Sequence, residues 1–262
     1  MLMWKVIEGK APLVAVAIHN GHKVRNEVGH NLAISESDRL REEDPYTGKW
    51  TDIAETTVIV DISRFQVDLN RPKEKAVYIS PEDSWGLQVW KEKPITGLVD
   101  RSLREYDQFY TTVHGVLSKL QKRFGKIVVI DLHTYNHRRE GPNGLPAKVE
   151  DNPEINIGTG SIDRQRWAPV VDRFIHDLRN FDFLGRKLDV RENVKFRGGQ
   201  FSRWVHQSFP NSVCVIAVEV KKFFMNEWSG ILDQSVFDAV HKALDSAVSG
   251  IAVELNNMKN RL

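Results

Sequence analysis

Four short apolar runs stand out from a mostly polar chain, at residues 13–18, 57–62, 127–132 and 213–220, each rich in Val and Ile. Their length and β-branching predict strands, and their nearly unbroken hydrophobicity predicts strands covered on both faces. Between them, residues 36–43, 101–124, 163–180, 200–207 and 235–258 space Leu, Val and Ile three and four apart, the period of amphipathic helices. Asp163 and Ser235 are the expected N-caps of two of these helices, and Gly125 the C-cap signal of another. Strands alternating with helices predict an α/β fold with a layered sheet. The stretch 135–160 holds Gly141, Pro142, Gly144, Pro146, Pro153, Gly158 and Gly160 and is expected to be a long loop, a common carrier of function. Gly and Pro density rises only there, so a single domain over 1–262 is expected.

Composition narrows the class. With 41% hydrophobic and 27% charged residues among 262, the chain is ordinary globular material, which excludes a disordered or fibrous protein. The 37 basic and 35 acidic residues give a formal charge of +2, so no net field draws the molecule to nucleic acid or membrane. Seven Trp and the basic pairs Arg138-Arg139 and Lys221-Lys222 are the features a nucleic-acid-binding module would need, but they form no backbone-tracking stripe in the sequence. No run of about 18 apolar residues suggests a bilayer span, and the first ten residues lack the apolar core of a secretion signal. The single cysteine, Cys214, lies inside an apolar run and is expected to be an inert core thiol. A chain with no possible internal disulfide fits a reducing compartment, and the cytoplasm is expected.

The chemistry gathers where three of the apolar runs end. Ile18 leads into His19, Leu132 into His133 and Val218 into Glu219. In open α/β sheets ligands bind outside the carboxyl ends of strands, so these three residues are placed to converge. His19-Asn20-Gly21-His22 is a His-x-x-His turn in which Gly21 would let both imidazoles face one ion. With His133 as third ligand, three neutral imidazoles and an open fourth position describe a catalytic zinc, leaving Glu219 for acid-base work. The segment after the second run contains Asn70-Arg71, a guanidinium fork beside an amide, which suits a carboxylate. The competing structural reading pairs its arginines with Asp61 and Asp68.

Together these segments resemble the N-formylglutamate amidohydrolase family, which groups with the aspartoacylases and zinc carboxypeptidases. The resemblance is carried by Ala17-Ile18-His19-Asn20-Gly21-His22, Arg41-Glu42-Glu43-Asp44-Pro45-Tyr46-Thr47, Ser63 to Arg71, Asp131-Leu132-His133-Thr134-Tyr135, Arg197-Gly198-Gly199 and Val218-Glu219-Val220. It implies a three-layer fold of the zinc-carboxypeptidase, phosphorylase/hydrolase-like kind, with a central, mostly parallel mixed sheet flanked by helices. It also implies a zinc ion held by His19, His22 and His133. Position 22 departs from the group's His-x-x-Glu pattern, and Glu27, Glu42, Glu43 and Asp44 are the nearby carboxylates available in its stead. The implied activity is hydrolysis of an N-acyl amino acid, with Glu219 as general acid-base and Arg64 stabilising the oxyanion. Asn70 and Arg71 would grip the α-carboxylate and Arg197 a second carboxylate. The alternatives within the class are aspartoacylase-like or carboxypeptidase-like hydrolases. A family member that binds a ligand without turning it over is a third.

Overall fold

The structure is a computed structural model that describes residues 3–259, so the expected domain span of 1–262 runs past it at both ends. Its centre is a seven-stranded sheet: β1 Trp4–Ile7, β2 Leu13–Ala17, β3 Thr56–Val60, β4 Ile127–Tyr135, β5 Ile155–Gly158, β6 Val190–Glu192 and β7 Val213–Lys221. The spatial order is β1-β3-β2-β4-β7-β5-β6. The four strands β3, β2, β4 and β7 run parallel to one another, whereas β1 joins β3 and β5 joins β7 antiparallel. β6 pairs parallel with β5. The sheet is therefore mixed with a parallel centre, as the apolar runs predict.

Side-chain alternation divides the core in two. Leu13 and Ala15 of β2, Val128, Ile130 and Leu132 of β4, and Cys214, Ile216, Val218 and Val220 of β7 pack with the helices α4 (Ala168–Asn180) and α6 (Gln234–Lys259). Val14, Val16, Val129, Val213 and Val215 pack on the other face with α3 (Thr96–Phe124) and α5 (Gln200–Ser208). Both faces are thus covered, which explains why these strands read as unbroken apolar runs. Two shorter helices, α1 (Asn26–Asn31) and α2 (Glu36–Glu42), lie between β2 and β3. No described helix is long and apolar enough to cross a membrane.

Several local expectations are corrected. The stretch 135–160 is not one loop, because Tyr135 ends β4 and Ile155–Gly158 forms β5. The strand was hidden by its length and by Asn156, which is buried and bonds to the backbone of Lys195 and Phe196. Asp163 does not cap α4, whose N-cap is Trp167; its carboxylate caps the preceding turn at the Arg166 amide, 3.1 Å away. At α6 the capping carboxylate is that of Asp233, which accepts from the Val236 amide and the Ser235 hydroxyl. Gly125 does close α3, at φ 76°, with its N–H on the Gln121 carbonyl.

The topology fixes where a ligand goes. β2 has β3 on one side and β4 on the other, so the chain reverses its direction of travel across the sheet at β2. The crevice outside the carboxyl ends of β2 and β4 is the switch point where such sheets bind ligands.

Candidate active site

His19 stands two residues beyond the end of β2 and His133 near the end of β4, both almost fully buried. Their ring centres are 5.0 Å apart. Between them enters Asp44, from the turn that follows α2, with its amide on the His19 carbonyl at 2.9 Å. Asp44 Oδ2 is 3.5 Å from His19 Nδ1 and 3.0 Å from His133 Nδ1. Ligand atoms around a tetrahedral zinc at 2.0–2.1 Å are about 3.3 Å apart, so these separations suit one ion. One donor atom from each of the three residues lies within 4.8 Å of the other two.

A second layer of carboxylates orients the rings. His19 Nε2 bonds to Asp68 Oδ1 at 2.8 Å, and a neutral His19 ring with its proton on Nε2 would have the Nδ1 lone pair for an ion. His133 Nε2 lies 3.1 Å from Asp131 Oδ1, and among the described residues the fully buried Asp131 carboxylate has no well-aligned hydrogen-bond donor. Asp131 and His133 are two apart on one strand and so share a face. Burial disfavours the charged form of Asp44, yet the bonds from His133 and His19 hold its carboxyl far below the usual range. The same opposition acts on Asp68, where Arg64 and His19 outweigh burial. Four acids, Asp44, Asp68, Asp131 and Glu219, thus surround two imidazoles and one guanidinium, and a divalent cation fits that excess of negative charge.

His19, Asp44, His133, Glu219 and Arg64 line a cavity of about 270 Å³. Glu219 projects into it from β7 and, among the described residues, has neither a hydrogen bond nor an ion pair. Burial, reinforced by Asp44 and Asp131, pushes its carboxyl up to about 7. Arg64 lies in the wall with Nη2 on Asp68 at 2.7 Å, Nε on the Tyr78 hydroxyl at 3.1 Å, and the Trp85 ring 4.9 Å away. Arg71 is looser: its side chain is 34% exposed, with Nη2 3.3 Å from the Asp83 carbonyl and Nε 3.9 Å from Asp68. Arg197 lines the same cavity and, among the described residues, its guanidinium pairs with nothing. Asn70 Oδ1 accepts the Phe201 amide at 3.0 Å while Nδ2 approaches His133 Nε2 at 3.5 Å. Gly199 is required beside it, because a Cβ there would fall 2.1 Å from Asn70 Oδ1.

The sequence matches the N-formylglutamate amidohydrolase family over residues 11–225. The chain belongs to that family. Its structure is similar to that of an N-formylglutamate amidohydrolase from Ralstonia eutropha JMP134, at 15% identity and a TM-score of 0.74, with 97% of this chain and 98% of that one covered. It is also similar to a gene product from Agrobacterium tumefaciens, at 17% identity and a TM-score of 0.60, with 95% of each chain covered. No curated protein sequence gives a significant match. At such identities the structural likenesses establish the shared fold, and the family match establishes an amidohydrolase.

Within this amidohydrolase, His19 and His133 come together as expected and His22 does not join them. Its Nδ1 bonds to Glu43 and its Nε2 lies 3.3 Å from Glu36, so the ring turns toward α2. Gly21 serves a different purpose from the one expected. It bridges to Ser63, and a Cβ there would lie 2.2 Å from the Asp61 carbonyl carbon, so glycine is needed for close passage of two backbones. Of the four carboxylates near in sequence, Asp44 is the one that enters the cluster. Glu43 is occupied by His22 and Ser63, and Glu42 by Arg41, Arg139 and Asn136. Glu27 lies at the surface with Arg25 and Arg101. Sequence reasoning assigned no site role to Asp68 or Asp131, although the spacing of Asp131 and His133 on one strand is a signal for such a pair. The two basic pairs are also accounted for: Arg138 donates to Gly144, Arg139 to Glu42 and Lys221 to Asn152, and Lys222 is buried.

Proposed function

We propose that this amidohydrolase is zinc-dependent and hydrolyses the amide of a small N-acyl amino acid with carboxylates to be recognised, N-formylglutamate being the model substrate. The observation that carries the reading is the His19, Asp44 and His133 donor set, backed by Asp68 and Asp131, in a cavity also lined by Arg64, Arg71 and Arg197. His19 and His133 would hold the ion through Nδ1 and Asp44 through its carboxylate, and His22 is omitted. Bound there, zinc supplies an acidified water and polarisation of the acyl carbonyl.

The chain's own residues do the rest. Glu219, unpaired and poised near neutrality, accepts the attacking water's proton and returns it to the nitrogen of the leaving amine. Arg64 has five N–H groups, three of them engaged by Asp68, Tyr78 and the Glu42 carbonyl. The other two are available to a developing oxyanion, a contribution of roughly 3 to 4 kcal/mol from a fixed donor in a desolvated site. Arg71 offers its half-exposed fork to the α-carboxylate while Asn70 holds the adjoining wall. Arg197, which lines the same cavity, meets a second carboxylate. A cavity of about 270 Å³ favours a small-molecule substrate. The single reduced thiol, Cys214, accords with a cytoplasmic setting.

Metal analysis of the purified protein, combined with a hydrolysis panel of N-formyl, N-acetyl and peptide substrates, tests the reading. About one zinc per chain with preferential cleavage of N-formylglutamate is the expected result. Zinc with preference for an N-acetyl or peptide substrate would move the enzyme to its aspartoacylase-like or carboxypeptidase-like alternative. A protein that binds no metal and cleaves none of the panel would sink the proposal.

A further inference from the structure

Lys222 is 1% exposed, an unusual place for an ammonium group, and no part of the reaction described above uses it. It stands one residue past the end of β7 and three past Glu219. Its Nζ donates to the Arg41 carbonyl at 2.5 Å and to the Glu43 carbonyl at 2.8 Å. Arg41 is in the last turn of α2 and Glu43 is its C-cap, so the cation satisfies otherwise orphaned carbonyls where the helix dipole favours positive charge. The residue joined to the Glu43 carbonyl is Asp44.

We propose that Lys222 is a positioning residue for the Asp44 carboxylate, locking the turn that delivers Asp44 to the strand that carries Glu219. A seven-residue helix such as α2 is too short to hold its own end in place, so the position of the following turn must come from tertiary contacts. The turn has two. The Asp44 amide is tied to the His19 carbonyl, and the Glu43 carbonyl to Lys222. The first tie sets Asp44 relative to β2, and the second sets it relative to β7. Loss of the second tie loosens the backbone at the Glu43-Asp44 peptide, so that Asp44 is held less firmly against His133 and depends on its bond from Thr134. The inference rests on the reading of His19, Asp44 and His133 as metal ligands.

The test is zinc affinity, measured by chelator competition on the full-length apoprotein, alongside its melting temperature. Lys222→Met fills the same space without donors and is expected to bind zinc at least tenfold more weakly than wild type, the usual consequence of removing an outer support of a ligand. In an Asp44→Ala background the same substitution should produce no further loss, because the residue it acts through is gone. Should Lys222→Met fail to fold, Lys222→Leu, which likewise offers no donor to either carbonyl, is measured in its place with the same expectation. An affinity within twofold of wild type, or an equal further loss in the Asp44→Ala background, would overturn the role of Lys222. Wild-type protein that binds no zinc would instead overturn the metal reading itself.

Discussion

His133 and Glu219 are directly opposed residues in the β4 and β7 pair, partners in a parallel register that runs unbroken from Ile127 and Val213 to Tyr135 and Lys221. Paired strand positions present their side chains to the same face of the sheet. The His133 imidazole and a carboxylate unpaired among the described residues therefore stand side by side in the cavity with no loop between them. A rigid scaffold of this kind holds two reacting groups more closely than loops do.

From that relationship comes the first prediction. Glu219→Gln keeps the shape of the side chain but cannot take a proton, so turnover should fall by at least a hundredfold while zinc content stays near that of wild type. A carboxylate buried for structural reasons would show the opposite pattern, a lowered melting temperature with activity preserved per folded molecule. Zinc content, melting temperature and hydrolysis rate on one preparation separate the two, and retained turnover would refute the acid-base role.

The ligand set makes a second, independent prediction. Asp44→Asn should weaken zinc binding tenfold or more, because it removes the charged member of the donor set and leaves only the two imidazoles to hold the ion. His22→Ala should leave zinc affinity close to wild type, since the His22 ring is held by Glu43 and Glu36 outside the cluster. Chelator competition on both variants decides. Loss of zinc on removing His22 alone would restore the three-histidine arrangement implied by the sequence resemblance.

How far the sequence reaches is shown by these same residues. The parallel centre of the sheet was legible because its strands are covered on both faces and so read as apolar runs. His19, His133 and Glu219 were legible because each interrupts such a run at its end. The edge strands were not: Trp4–Ile7 alternates exposed with half-buried positions, and Val190–Glu192 is only three residues long. Asp44 was visible only as one carboxylate among four, because its selection depends on Glu42, Glu43 and Glu27 being engaged elsewhere by tertiary contacts. Nothing local marks Asp68, whose partners His19, Arg64 and Tyr78 are 49, 4 and 10 positions away.

A pH prediction arises away from the site. His206 accepts the Val215 amide at Nε2 and meets the Ser161 hydroxyl at Nδ1, and burial pushes its imidazole down to about 4. Below pH 6.5 the unfolded chain takes up a proton that the folded protein refuses until about pH 4. The native state therefore loses stability as pH falls through that window, by on the order of 2 kcal/mol once partial exposure of the ring is allowed for, and gains nothing from this group above it. Melting curves of wild type and His206→Gln between pH 7.5 and pH 4.5 should converge as the pH drops. Parallel curves would show that His206 titrates normally in the fold.

The last prediction concerns recognition. Arg71→Ala should reduce kcat/KM for N-formylglutamate far more than for its α-amide. The guanidinium of Arg71 is only loosely held, 3.3 Å from a carbonyl and 3.9 Å from Asp68, and a third of its side chain is exposed. A group with so little commitment to the fold is available to a ligand. Loss of one charged hydrogen-bonding partner from a desolvated site costs about 2 to 5 kcal/mol, or at least roughly thirtyfold in efficiency. The neutral amide never makes that contact and should lose little. If Arg71 instead serves the fold through Asp68, both substrates should suffer equally and the melting temperature should fall with them. The ratio of the two kcat/KM values, mutant against wild type, is therefore the measurement to make, and a ratio unchanged by the substitution would remove Arg71 from substrate binding.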